Sequence, residues 1–158
     1  MKKIFKYIFR IAILFLVSGF IYYNCELLYR GYSHILMLFL AGLCGVLFID
    51  APNNIYSFEL GYLKQITIST VLCTIAEGIC GLIANVWLKM NIWDYSNLPG
   101  SFFFNQCNIF FVGIWALIVA IGIPICDFIN YYWFKIDPCP YYKINGKIIF
   151  KFKERKTI

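Results

Sequence analysis

ITISTVLCTIAEGICGLIANVWL, residues 66 to 88, is uncharged except for Glu77 at its centre. As an α-helix the run rises roughly 34 Å at ~1.5 Å per residue, enough to cross a bilayer core of about 30 Å. A carboxyl group at that depth costs on the order of a few kcal/mol even on permissive insertion scales, so it marks a functional-site hypothesis. Glu77, Gly81 and Asn85 follow one another at i, i+4 and i+8 and share one helix face. Gly81, bordered by Cys80 and Ala84, lets another helix approach closely, so this face points into a bundle.

The rest of the chain agrees with a membrane reading. Of its 158 residues, 61% are hydrophobic, 20% aromatic and only 14% charged, against roughly 25% charged in a soluble domain. That excludes a water-soluble fold and leaves no room for a second large domain. Three further apolar segments run from Ile11 to Tyr29, from Ile35 to Ile49 and from Ile109 to Phe134, the last interrupted by Pro124. MKKIFKYIFR followed by IAILFLV resembles a signal peptide, but no A-x-A-like site follows and the apolar run continues to Tyr23, which predicts an uncleaved first span.

The second segment is short, ~22 Å if helical, and by length alone is either re-entrant or spanning. Basic residues decide. With four spans, one side holds Lys2, Lys3, Lys6, Arg10, Lys64 and every Lys and Arg from Lys135 to Lys156, while the other holds only Arg30 and Lys89. This asymmetry predicts an all-α polytopic membrane protein in the cell membrane, with four transmembrane helices and both termini cytoplasmic. Residues 1–134 form the transmembrane domain and 135–158 a short basic cytoplasmic tail. Asp50-Ala51-Pro52-Asn53-Asn54 reads as a turn opening the inner loop. In the tail, Asn145-Gly146 between apolar β-branched residues predicts a β-hairpin, either solvated or lying on anionic headgroups.

Polar residues concentrate in the outer half. Glu26 and Arg30 are i, i+4 near the outer end of the first helix, and Trp93-Asp94-Tyr95-Ser96 follows the third. The expected site is a buried polar cluster of Glu77, Asn85, Glu26, Arg30 and Asp94, with Trp93, Tyr95 and Ser96 as an outer-loop motif. One arginine facing three carboxylates implies that a carboxyl is protonated or that a cation enters. The alternatives are a network that only locks helices together and a polar binding pocket open to the outside. Asp127 reads as polarity at the inner boundary and His34 as an interfacial side chain.

No GxxxxGK[ST], HExxH or GxSxG motif occurs, and no cysteine pair has CxxC spacing beside the single histidine. The expectation is therefore no catalytic residues, no metal, no cofactor and no nucleic-acid partner. Cys25 and Cys107 could share the outer surface and pair.

Glu26-x3-Arg30-Gly31-x-Ser33-His34, Gly42-x2-Gly45, Glu77-x3-Gly81-x3-Asn85 and Trp93-Asp94-Tyr95-Ser96-Asn97-Leu98-Pro99 together resemble the ABC-transporter type IV (CmpB-like) permease family over roughly residues 20 to 130. These are small bacterial and phage membrane proteins of about four spans. The chain departs from the family pattern after Pro99, where a polar Asn and a Gly-Gln before the Cys give way to Gly100-Ser101-Phe102-Phe103-Phe104-Asn105-Gln106-Cys107. The resemblance implies a permease-like or transporter-associated subunit in the lipid bilayer, joined to itself or to other membrane and ATPase subunits. Two other classes fit the residues: a self-associating, holin-like pore former and, with less support, a membrane-embedded enzyme acting on lipid headgroups.

Overall fold

The structure, a computed structural model, describes residues 2–56, 58–136 and 138–155. Among the described residues, four helical runs are long and apolar enough to cross a membrane: Lys3–Arg30, Ile35–Tyr56, Tyr62–Trp87 and Ile109–Trp133. The first is α1 (Lys2–Arg30). The second joins α2 (Ile35–Cys44), a π-helical stretch Gly45–Asp50 and α3 (Ala51–Tyr56). The third joins α4 (Tyr62–Gly81) to a π-helical Leu82–Trp87. The fourth joins α5 (Ile109–Phe128) to a π-helical Ile129–Trp133.

The second run corrects the sequence reading. It does not stop at Ile49; the helix passes through Asp50-Ala51-Pro52-Asn53-Asn54 and reaches Tyr56 as a run of 22 residues. Proline ordinarily ends a helix because it lacks an N–H and crowds the carbonyl four residues back. Here a widened π-helical turn precedes Pro52, and the Asn54 Nδ2 donates to the Asp50 carbonyl at 2.9 Å. Pro124 is handled differently. It lies inside α5 and cannot bond the Ala120 carbonyl, and the Tyr62 hydroxyl donates to that carbonyl instead.

The starts of α2 and α5 are capped by side chains. His34 Nδ1 accepts from the Leu36 N–H at 3.2 Å, and Asn108 Oδ1 accepts from the Phe110 N–H at 2.9 Å. Leu14, Cys44, Cys73, Val119 and Ile123 have no exposed surface and form the middle of the core. Outward faces are apolar: Phe39, Leu47, Val71, Ile79, Leu117 and Ile121 are all half-exposed or more, an outer surface unlike that of a water-soluble domain.

The tail forms the expected hairpin, with β3 (Tyr141–Ile144) antiparallel to β4 (Lys147–Lys151). The outer loop holds a two-residue ladder of its own, β1 (Ser101–Phe102) with β2 (Cys107–Asn108). The tail hairpin turns at Asn145 and Gly146, both with positive φ of 50° and 77°, as a tight primed turn requires. It is not a free solvated end. Tyr142 is 2% exposed, packs at 4.9 Å on the Tyr62 ring and donates to Asp127 at 2.6 Å. Lys143 pairs with Glu59 at 2.7 Å, and the Tyr141 hydroxyl also donates to Glu59.

Two outcomes follow from this packing. At Gly45 an added Cβ would lie 2.1 Å from the Ser18 hydroxyl oxygen, whereas at Gly113 it would meet nothing within 4 Å. Gly45→Ala should lower thermal stability in detergent by about 1–3 kcal/mol through overpacking, and Gly113→Ala, in open space inside α5, should not lower it and should raise it by up to about 1 kcal/mol. At the tail, hydrogen bonds from Lys143 and Tyr141 lower the Glu59 carboxyl from its ordinary 4.5, and Glu59 raises Lys143 from 10.5. The pair's contribution is complete between those ordinary values, fades as pH falls through the lowered carboxyl value, and fades again as pH rises through the raised amine value. Amide resonances of residues 141–147 in micelles should shift on acidification below that window, and Glu59→Gln should flatten this response.

Candidate functional site

The buried face of α4 carries Gln65, Ser69 and Thr70 in its first half, then Cys73, then Glu77, with Asn85 following in the π-helical stretch. Glu77, 1% exposed, sits midway. Its two carboxyl oxygens accept from different elements: Oε1 from the Tyr95 hydroxyl at 3.1 Å and Oε2 from the Trp115 Nε1–H at 3.1 Å. Both donors are neutral. Among the described residues, no lysine, arginine or histidine forms an ion pair with Glu77. Trp115 is held by stacking on Tyr22 at 5.2 Å, and Tyr95 by stacking on Phe111 at 4.6 Å. Burial, then the nearby Glu77, pushes the Tyr95 phenol up, which keeps it a hydroxyl donor.

Tyr95 reaches Glu77 because the loop after the third helix folds inward over α4. Gly78 and Gly81 make room. A Cβ at Gly78 would meet Phe103 at 2.6 Å, and one at Gly81 would meet Gln106 at 2.7 Å. Gln106 fastens the loop. Its Oε1 accepts from Asn85 Nδ2 at 2.9 Å and its backbone carbonyl accepts from Trp93 Nε1 at 3.1 Å. Asn85 Oδ1 accepts in turn from the Ile92 N–H at 2.7 Å. The loop tip is strained: Phe103, Phe104 and Asn105 all have positive φ, between 51° and 60°. Cys107 is a free thiol bonded to the Thr74 carbonyl, and burial pushes it up to about 11, so it packs as a small hydrophobe. Cys25 is also free and exposed, so the two do not form the disulfide that the sequence allowed.

The expected cluster therefore divides. Glu77 and Tyr95 meet each other, while Asn85 and Trp93 meet at Gln106. Glu26 and Arg30 pair with each other at 2.9 Å, with Ser33 donating to the same carboxylate and Tyr32 beneath the guanidinium, and Arg30 makes no contact with Glu77. Asp94 faces away, accepting from the Ser96 N–H at 2.9 Å and the Ser96 hydroxyl at 2.8 Å in an exposed Asx turn. Trp115, Tyr22 and Gln106 were not anticipated. A tryptophan in mid-helix, away from any interface, carries an N–H that needs an acceptor, and that was the available signal for Trp115.

A second buried polar layer lies at the other end of the bundle. Arg10 pairs with Asp50 at 3.2 Å, and Asn130 bridges them, donating to Asp50 Oδ1 and accepting from Arg10 at 3.0 Å. Asp127, read from the sequence as boundary polarity, is 3% exposed and accepts from Asn53 at 2.7 Å and Tyr142 at 2.6 Å. Asp50, Asn85 and Asn130 each fall in a π-helical stretch. Such stretches frequently accompany functional sites. No protein-family model, curated protein or solved structure matches the chain.

The donors to Glu77 can be separated from the Arg30 pair by mutation. Trp115→Phe keeps the buried ring but removes its N–H, and should cost about 1–3 kcal/mol. In a Glu77→Leu background that cost should disappear, because the acceptor is gone. Arg30→Ala breaks only a part-exposed pair and should cost about 1 kcal/mol or less, uncoupled from Glu77. Thermal denaturation in detergent reads all four variants.

Proposed function

We propose that this chain is a multi-pass membrane protein with both termini cytoplasmic, working as a permease-like, transporter-associated subunit in which Glu77 takes up and releases a proton or a small cation. The observation that carries this reading is the Glu77 carboxyl itself: 1% exposed, midway along an apolar helix and, among the described residues, bonded only by two neutral donors. A full negative charge held there without a counter-ion is costly, so the site favours a bound proton or cation. A carboxyl with a guanidinium partner would be locked in one state; this one is not.

Access to the site is supported from both ends. On the outer side, the covering loop is anchored at Gln106 but strained at Phe103–Asn105, so local opening would expose Tyr95 and Glu77. On the inner side, Gln65 Oε1, Ser69 Oγ and Thr70 Oγ1 are buried without partners among the described residues. Unpaired buried oxygens of this kind call for water. They continue the polar face of α4 from Glu77 towards Asp127 and Tyr142.

Reconstitution into liposomes containing a pH-sensitive dye tests the assignment. Wild type should pass protons or alkali cations under a gradient, and Glu77→Gln should insert normally but lose most of that flux. Equal flux from both would remove Glu77 from the mechanism. Native mass spectrometry of protein purified from its own membranes then reads the partners: co-purifying permease or ATPase chains support a transporter subunit, and a bare homo-oligomer supports a self-sufficient one.

A further inference from the structure

The first turns of α1 carry Lys3, Lys6 and Arg10 at i, i+3 and i+7, one face of the helix. This face lines an open cavity of about 340 Å³, walled also by Tyr7, Asn54 and Phe134. Arg10 is 7% exposed, and its Nη1 serves Asp50 at 3.2 Å and Asn130 at 3.0 Å. Its Nε–H is buried with no partner among the described residues.

Among the described residues, the charges around this cavity do not balance. Asp50, the carboxylate at Arg10, is already taken by Arg10, Asn54 and Asn130. Among the described residues, neither Lys3 nor Lys6 has an ion-pair partner. Two like charges one turn apart repel, so an arrangement that aims both at a cavity ending in a buried guanidinium suits an anion. Lysines supply mobile point charges for a phosphate, and arginine supplies directed N–H donors. Tyr7 and Phe134 give the rim an apolar wall, and the neighbouring Phe5 and Phe9, both more than half exposed, stack on the lipid-facing side.

We propose that this cavity binds a phosphate group, presented by an anionic phospholipid of the adjoining cytoplasmic leaflet. The proposal rests on the membrane placement above and not on any role of Glu77. The site differs from the basic tail hairpin, whose Lys143 and Lys151 already pair with Glu59 and Glu154.

Native mass spectrometry of the detergent-solubilised full chain, titrated with phosphatidylglycerol, cardiolipin or phosphatidylcholine, tests it. Wild type should retain the anionic lipids and not phosphatidylcholine. The Lys3→Gln/Lys6→Gln double variant should bind them roughly tenfold or more weakly, at about fivefold per basic residue near a charged surface. Lys3→Arg/Lys6→Arg should restore binding, which separates a lost site from a misfolded chain. Lys147→Gln/Lys153→Gln in the tail should bind as wild type does. Undiminished retention by the double Gln variant, or equal loss in the tail variant, overturns the proposal. Displacement of the lipid by inorganic phosphate at millimolar concentration would assign the site to a soluble ion and overturn the lipid occupant. Glu77-dependent flux measured on the same variants keeps failure of this site distinct from failure of the transport reading.

Discussion

The carboxyl group of Glu77 constrains the half of this protein that carries the 88–108 loop. Midway along an apolar helix it must find hydrogen-bond donors, and none is available from its own helix. One comes from Trp115 on the neighbouring helix, the other from Tyr95 on a loop that would otherwise project outward. Bringing Tyr95 in requires the loop to lie on α4, which requires Gly78 and Gly81 beneath Phe103 and Gln106. The left-handed turn at Phe103–Asn105 then returns the chain to the Asn108 cap of α5. Strain at two phenylalanines is tolerated because Gln106, just beyond them, is fixed to both Asn85 and Trp93.

The opposite end of the bundle solves a similar problem partly with charge. Arg10 and Asp50 are a true ion pair with amide bridges, and Asp127 is covered by a tyrosine that the tail hairpin delivers. Irregular backbone appears where these polar groups sit. A π-helical turn lets the second helix run past Pro52, and Tyr62 takes up the carbonyl that Pro124 leaves free. Between the two layers lies a waist of Leu14, Cys44, Cys73 and Val119, wholly buried. The bundle is thus two polar layers across a thin apolar middle: a neutral-donor carboxyl site on one side and, on the other, an ion pair beside a second carboxyl, Asp127, held by neutral donors.

Much of this was legible from residues alone. Length and hydropathy gave the four helical runs, and i+4 spacing gave the buried face of α4, because periodicity reports directly on which side a helix buries. The Asn-Gly turn gave the tail hairpin. Pairings between distant elements were not legible. Arg10 reads as a topology signal and Asp50 as part of a turn until the fold places them 3.2 Å apart. The Asp50–Asn54 stretch is dense in turn formers, yet side-chain bonds and a π-helical turn carry a helix through it, a tertiary override of local propensity. Arg30 was the natural counter-ion for Glu77 by composition, but its i, i+4 partner Glu26 is nearer and claims it. Within the outer motif, the split between inward Trp93 and Tyr95 and outward Asp94 and Ser96 depends on a loop path that no local pattern encodes.

Magnitudes separate a structural role for Glu77 from a functional one. Placing a carboxylic side chain at bilayer depth costs on the order of 2.5–3.5 kcal/mol on insertion scales. Hydrogen bonds between helices in membranes return about 0.6 kcal/mol on average and at most about 1.7. Two such bonds therefore offset the cost at best, and a leucine in the same place would hold the helices as well with no donor required. An ion pair could have bound the helices more tightly, and the protein builds one at its other end, between Arg10 and Asp50. At Glu77 it positions a tyrosine hydroxyl and an indole N–H, groups that bond the carboxyl without neutralising it. Stability alone does not favour that choice; the proposed uptake and release of a proton or cation at Glu77 does.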